Sequence, residues 1–389
     1  MEISMGKRAG KQKEKRYFDY TLLFVTIFLA GFGMVMIYST SSYTAQMESG
    51  NAASYFKKQL AFTGLGFAAM YATYRFDYHR WQRLALPVYV ISVLLVLALI
   101  PFGSSSGGAK RWLRFGPVGI QPADVSKFAV IVLLAAMVCQ CGKEIRRVRT
   151  LIILFALTAL IQAVLVLVIS NNMSSALIIC AIAVVILFVA YPGYKLFAAF
   201  GAAVIAVFVG VYAIVSKMLE SGSSLTDNFR LNRIFVWVNP ERYISGKGYQ
   251  TVQALYAIGS GGLFGKGLGK SLQKLGYIPE SQNDMIFSII CEELGLFGAV
   301  CVILVFAVML WRIAHISQNA PDLFGTLLTT GVFAHIAIQV VLNIAVVTNL
   351  IPNTGVSLPF ISYGGSSAVV LLAEIGIVLN VSSKIKLEV

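Results

Sequence analysis

Seven ionisable side chains sit within or at the ends of strongly apolar stretches: Asp124, Lys127, Asp284, Glu292, Glu293, His335 and Glu374. Charge is costly in hydrocarbon, so each is a candidate for chemistry until a partner accounts for it. Asp284 follows Pro279-Glu280-Ser281-Gln282-Asn283, where a polar segment meets an apolar run. A carboxylate there can meet both an anionic headgroup and water, and partial burial would raise its pKa toward general-base duty. The same position equally suits a helix N-cap or a first-turn acid. Glu292 and Glu293 lie roughly 12 Å deeper at ~1.5 Å per helical residue, and point about 100° apart, so they form no catalytic dyad with each other. At least one is expected to pair with a polar group on a neighbouring helix. His335, lone and mid-span, reads as a hydrogen-bonded interior histidine. Asp124 and Lys127, three residues apart, share a helix face and can neutralise each other.

A second set of groups is cationic. The stretch Gly108-Ala109-Lys110-Arg111-Trp112-Leu113-Arg114-Phe115-Gly116, followed by Gly119-Ile120-Gln121-Pro122-Ala123-Asp124, combines basic and aromatic side chains. It suits an anionic headgroup such as pyrophosphate, and equally an interfacial segment whose cations snorkel. Gly269-Lys270-Ser271 imitates the end of a phosphate-binding loop, but the required first glycine falls at Phe264 and no strand precedes it. The cysteines (Cys139, Cys141, Cys180, Cys291, Cys301) lie in or beside apolar runs without CxxC spacing, so neither a disulfide nor a cysteine metal site is expected.

The elements that must hold these groups are membrane helices. Only 12% of the 389 residues are charged, 58% are hydrophobic, and the mean hydropathy is +0.78. About ten apolar spans are expected, at 18–41, 56–75, 84–102, 122–141, 150–169, 174–191, 195–216, 285–311, 323–350 and 365–382. The fold class is therefore all-α and polytopic. The basic tail 1–17 (Lys7, Arg8, Lys11, Lys13, Lys15, Arg16) and the cations Arg75, Arg80, Arg83, Lys143, Arg146, Arg147 and Arg149 fall on one side. Positive charge favours the cytoplasm, which puts both termini there, including the short tail 384–389. The net charge of +14 is thus a topology signal, with no basic–aromatic stripe of the kind nucleic acid needs. Within the membrane domain 18–383, residues 217–284 form the one long outer loop. It carries Phe229, Ile234, Phe235, Val236 and Trp237, so short surface helices are expected there.

With these residues in view, the chain resembles the SEDS proteins (shape, elongation, division and sporulation), the group containing FtsW, RodA and SpoVE. The likeness covers nearly the full length. It rests on Gly108 to Trp112 with Gln121-Pro122, on Gly248-Tyr249-Gln250 and the run Ala257 to Gly267, on Ile278 to Asp284, on Glu292-Glu293-Leu294-Gly295, and on Pro359-Phe360-Ile361-Ser362-Tyr363-Gly364-Gly365-Ser366-Ser367. The resemblance implies a peptidoglycan glycosyltransferase that polymerises lipid II outside the bacterial cytoplasmic membrane and works with a class B penicillin-binding protein. It places the catalytic acid on Asp284, which is also the candidate metal ligand for a divalent cation (Mg or Mn). Substrate contacts are then expected from Lys110, Arg111, Arg114, Gln121, Asp124, Lys127, Glu292 and Ser362. Three positions depart from the family pattern: Ala123-Asp124 replaces Ser-Glu, Asn171-Asn172 lacks the usual acid, and Asn353 replaces another residue in its turn. A lipid II flippase and a non-catalytic scaffold for a penicillin-binding protein stay open as alternatives. Division, sporulation and elongation roles are all compatible, with the long basic N-terminus and Tyr38-Ser39 leaning toward the first two.

Overall fold

The computed structural model describes residues 17–106, 109–116, 118–221, 229–246 and 248–386. The six cations of the N-terminal tail, Gly108 of the basic motif and the last three residues of the C-terminal tail lie outside the described residues. Helices α1 (Tyr20–Ser49), α2 (Ser54–Arg75), α3 (Tyr78–Leu97) and the one-turn α4 (Leu99–Phe102) lead into strands β1 (Gly103–Ser106), β2 (Ala109–Phe115) and β3 (Val118–Ile120). Next comes α5 (Pro122–Cys141); α6 (Val148–Phe155) and α7 (Ile161–Ile169) are then joined by a π-helical turn into one rod. α8 (Met173–Ala190) and α9 (Tyr194–Glu220) follow, and the outer segment supplies α10 (Phe229–Val238) and α11 (Tyr249–Gly261). The chain closes with α12 (Ile286–Gln318), α13 (Leu323–Val347) and α14 (Gly365–Ser382).

Among the described residues, nine rods are long and apolar enough to cross a membrane. The tenth expected span, α2, has the length, but Lys57, Lys58 and Gln59 at one end and Arg75 at the other dilute its apolar content. It packs closely on α14. A Cβ at Gly66 would stand 2.5 Å from Leu372 Cδ1, and one at Gly376 would stand 2.2 Å from Met70 O. Without those side chains the two backbones approach, the usual way small residues join helices in lipid. Thr73 Oγ1 then donates across the gap to Ala373 O at 2.9 Å. At the opposite extreme, α9 touches little beyond α10, through a separate cluster of Val215, Leu219 and Phe235. The Tyr17 amide donates to Ile385 O (3.3 Å), so the two ends of the described chain meet at one face, as an even number of crossings requires.

The outer loop begins later than 217, because α9 runs on through Glu220. The fold is all-α and polytopic as expected, with one small addition: Lys110, Arg111 and Arg114 lie on a three-stranded antiparallel sheet, order β1-β2-β3. Trp112, Phe115 and Val118 favour extended backbone over helix, and the turn at Gly116 takes the left-handed φ of 62° that glycine tolerates.

Candidate active site

Asp284 lies at the seam between the outer segment and α12. Its neighbours are tied down one by one: Ser362 Oγ donates to Asn283 O (2.7 Å), and the Tyr363 amide to Gln282 O (2.9 Å). Asn343 Nδ2, on α13, donates to Asp284 O (2.7 Å) and to Val356 O (2.8 Å). The α12 N-cap is Met285, and no side chain caps the helix, so Asp284 is not spent on capping. Burial pushes the Asp284 carboxyl up to about 6, and the charge of Glu280 adds to this. The amides of Asp284 and Met285 and the guanidinium of Arg233 act the other way.

Arg233 comes from α10, where Trp237 Nε1 donates to Asn349 O (3.1 Å) and ties the helix to the end of α13. Arg233 Nη1 donates to Asn353 O at 2.9 Å. Two residues on, Gly355 adopts φ 68°, and a Cβ there would lie only 3.8 Å from Asp284 Oδ2. The Asn353–Gly355 turn is thus the wall between the cation and the carboxylate. A cavity of about 180 Å³ opens on this wall, lined by Asn232, Arg233, Trp237, Gln250, Thr251 and Asn353 among others.

Arg111 approaches from the sheet. Ser104 pairs with Trp112 but Ser105 with Lys110, so Arg111 is the extra residue of a β-bulge. Bulges re-aim side chains beside functional sites. Arg111 is half-buried, its Nε has no partner among the described residues, and desolvation lowers its pKa. Arg233 is shifted down in turn, by its own burial and then by the charge of Arg111, while Asp284 opposes the shift. Two desolvated guanidinium groups therefore act on one another, and Arg233 also feels the charge of Asp284, an arrangement suited to an anion that gains charge as a bond breaks.

The other expected site residues are sorted differently. Lys110 and Arg114 are exposed on the sheet, and Lys110 Nζ donates to Ile100 O (3.2 Å). Asp124 and Lys127 pair at 2.8 Å, both buried inside the bundle. Gln121 precedes α5, and its backbone amide donates to Ser366 Oγ (3.1 Å). Ser362 acts behind Asp284: its hydroxyl accepts from the Leu358 amide (2.8 Å) while donating to Asn283 O. Glu292 was expected at substrate and is instead fully enclosed. Lys266 Nζ (2.7 Å), Ser271 Oγ and the amides of Leu272 and Gln273 already bond its carboxylate, because the glycine-rich loop folds back over α12. Deeper still, His335 Nδ1 meets Glu374 at 2.9 Å and its Nε2 meets Gln339. Arg233 escaped the sequence reading because one cation in an outer amphipathic helix looks like any solvated charge. The available signal was its setting, Asn232-Arg233 before Phe235-Val236-Trp237.

The FtsW/RodA/SpoVE family, described as cell cycle protein, matches residues 20–387. The chain belongs to that family. It is 38% identical over 366 residues to stage V sporulation protein E of Bacillus subtilis (strain 168), covering 94% of this chain and 96% of that protein. It is also 38% identical over 372 residues to the "Probable peptidoglycan glycosyltransferase FtsW" of Trichlorobacter lovleyi, covering 95% and 94%. Among solved structures, a chain of a peptidoglycan synthase complex, described for its structural coordination of polymerization and crosslinking, superposes with a TM-score of 0.75 at 25% identity, over 95% of this chain and 98% of that one. The rod shape determining protein RodA of Thermus thermophilus gives 0.66 at 26% identity, over 95% and 98%. This FtsW/RodA/SpoVE chain is accordingly a multi-pass protein of a bacterial membrane.

Proposed function

We propose that this chain is a peptidoglycan glycosyltransferase that joins lipid II units into glycan strands at the outer membrane face, with Asp284 as general base. One observation carries the reading: the Asp284 carboxylate, raised toward neutrality by burial, lies at the outer mouth of the bundle within the field of Arg233, which is itself desolvated and feels the charge of Arg111. Asp284 takes the proton of the acceptor sugar's 4-hydroxyl as that oxygen attacks the donor's anomeric carbon. The bond from that carbon to the pyrophosphate oxygen breaks, and undecaprenyl pyrophosphate leaves. Arg111 and Arg233 balance the charge that gathers on the departing oxygens. An activated leaving group needs one carboxylate at the reacting bond, whereas a glycosidase needs two. The family name and the names of its relatives support the activity.

A divalent cation fits the donor set. Among the described residues no three His, Cys, Asp or Glu side chains group to hold a metal. Magnesium and manganese, however, take one or two carboxylates plus neutral oxygens. Asn283 Oδ1 and Asn343 Oδ1, both beside Asp284, have no donors. Asp284 with these amide oxygens would hold the cation, which would supply further charge stabilisation to the leaving pyrophosphate. The partner we assign is a class B penicillin-binding protein, supported by the likeness to a chain of a synthase complex described for polymerization and crosslinking. The flippase alternative calls for a polar path through the membrane, and the deep carboxylates are already engaged: Glu292 and Glu293 in ion pairs with Lys266 and Lys274, and Glu374 in a hydrogen bond with His335.

The test is lipid II polymerisation by the full-length protein in proteoliposomes with its transpeptidase partner, before and after chelation. Wild type should form strands, and folded Asp284→Asn should fall by about 10³-fold or more. Strands from the mutant at wild-type rate would remove Asp284 from the reaction. Headgroup translocation without polymerisation would favour the flippase.

A further inference from the structure

The two glutamates that follow Asp284 are charges the reaction does not use. Both are fully buried, and they point about 100° apart around α12. Glu292 binds Lys266 and the 271–273 segment as described. Glu293 accepts from Lys274 Nζ (2.7 Å), from Ser39 Oγ on α1 (2.8 Å) and from the Ser271 amide (3.4 Å), and Lys274 Nζ also donates to Ser39 Oγ (3.0 Å). Backbone pairing runs beside these bonds. The amides of Lys266 and Gly267 donate to Glu292 O and Glu293 O at 2.9 Å each, and those of Leu296 and Phe297 to Gly262 O and Leu263 O. That pairing is possible because α12 breaks at Gly295 (φ 70°). A Cβ at Gly265 would fall 2.2 Å from Glu293 O, and one at Gly295 would fall 2.4 Å from the Gly265 nitrogen.

The path of the chain gives this assembly its consequence. It leaves the cluster at Lys274, passes through Asp284, and returns to it at Glu292 along the first turns of α12. Asp284 is therefore the far point of a loop whose two ends are locked together by ion pairs. The neighbouring Thr40 adds a further tie through its carbonyl to Ser281 Oγ (3.5 Å). Replacing such a buried set by apolar groups often costs a protein little stability, so stability alone does not explain four charges here. Fixing a reacting group does.

We propose that Glu292 and Glu293, with Lys266, Lys274 and Ser39, form an ionic clasp that positions Asp284 for proton transfer. The proposal rests on Asp284 being the base. None of the clasp residues touches substrate, so they set the rate of the chemical step rather than substrate affinity.

Charge exchange tests this: Lys274→Glu, Glu293→Lys and the double variant, assayed as full-length protein with lipid II, with folding followed by melting and gel filtration. Each single variant should lose on the order of 10²-fold in kcat, the cost of about 1 Å of misplacement, with KM within about twofold. The double variant should recover most of the loss. Folded single variants with wild-type kcat, a loss confined to KM, or a folded double variant no better than the singles would each overturn the clasp. Should the reversals not fold, Ser39→Ala and Lys266→Gln decide. The same kcat-only loss supports the proposal; an unchanged kcat, or a loss confined to KM, rejects it. Asp284→Asn is run alongside. A dead Asp284→Asn beside fully active clasp variants overturns the clasp alone, whereas an active Asp284→Asn overturns the assignment of the base and the clasp's role with it.

Discussion

The carboxylate and the cation of the site are held in opposite ways. Asp284 sits in a segment anchored to α1, α12, α13 and the 358–363 turn, with successive backbone groups individually bonded. Arg233 rides on α10, which packs on α9, and only 6% of the residues in the most apolar part of α9 are buried, against 78% in α14. The group that moves a proton needs sub-ångström placement, whereas a group that offsets charge acts over a longer range. Within the α9–α10 arm, α9 is the least buried of the described spans, while bonds from Trp237 and Arg233 to Asn349 O and Asn353 O hold α10.

The contrast can be tested by asking the two regions to tolerate the same kind of change. Asp284→Glu, one methylene longer, should lose at least on the order of 10²-fold in kcat, because the clamped backbone cannot retreat to make room. Arg233→Ala should cost about 10²-fold and Arg233→Lys distinctly less, measured as initial rates of strand formation. A rigid arm would make Lys as damaging as Ala. The pH profile joins the regions. Asp284 must be ionised to accept a proton, so the rate should fall about tenfold per unit below a midpoint of about 6 and level off above it. Arg233 holds that carboxyl down, so Arg233→Ala should move the midpoint to higher pH; an unmoved midpoint would separate the two groups. The smallest effects belong to the sheet surface. Lys110→Ala and Arg114→Ala, at exposed positions, should change kcat less than about threefold, and salt should screen what they contribute.

Most of the fold was legible because hydrocarbon imposes a length and a composition on each crossing. The expected spans 122–141 and 365–382 coincide with α5 and α14, and α12 outruns its expected end by seven residues because its cytoplasmic turns are polar. The sheet was not legible, since seven residues of mixed charge and aromatics resemble an amphipathic surface segment until a bulge gives Arg111 a different neighbourhood from Lys110. Asp284 could be singled out by its place at a polar–apolar seam. Glu292 could not be placed, because its lysine partner lies 26 residues earlier in a loop whose fold depends on Gly265 and Gly295. Motif and hydropathy locate a charge along the chain; they do not reveal the loop that folds back to neutralise it.

The bond between the Tyr17 amide and Ile385 O makes the path from Tyr17 to Ile385 nearly a closed ring. A ring has no privileged starting point. A short linker across that junction, with the chain reopened at the exposed 142–147 connection on the same face, would reorder the spans in synthesis without moving any of them in space. Such a permuted chain would begin with α6 and make the segment bearing Asp284 before it made α2, its closest companion to α14. Whether it still assembles would separate the order in which this bundle is threaded into the membrane from the geometry it finally adopts.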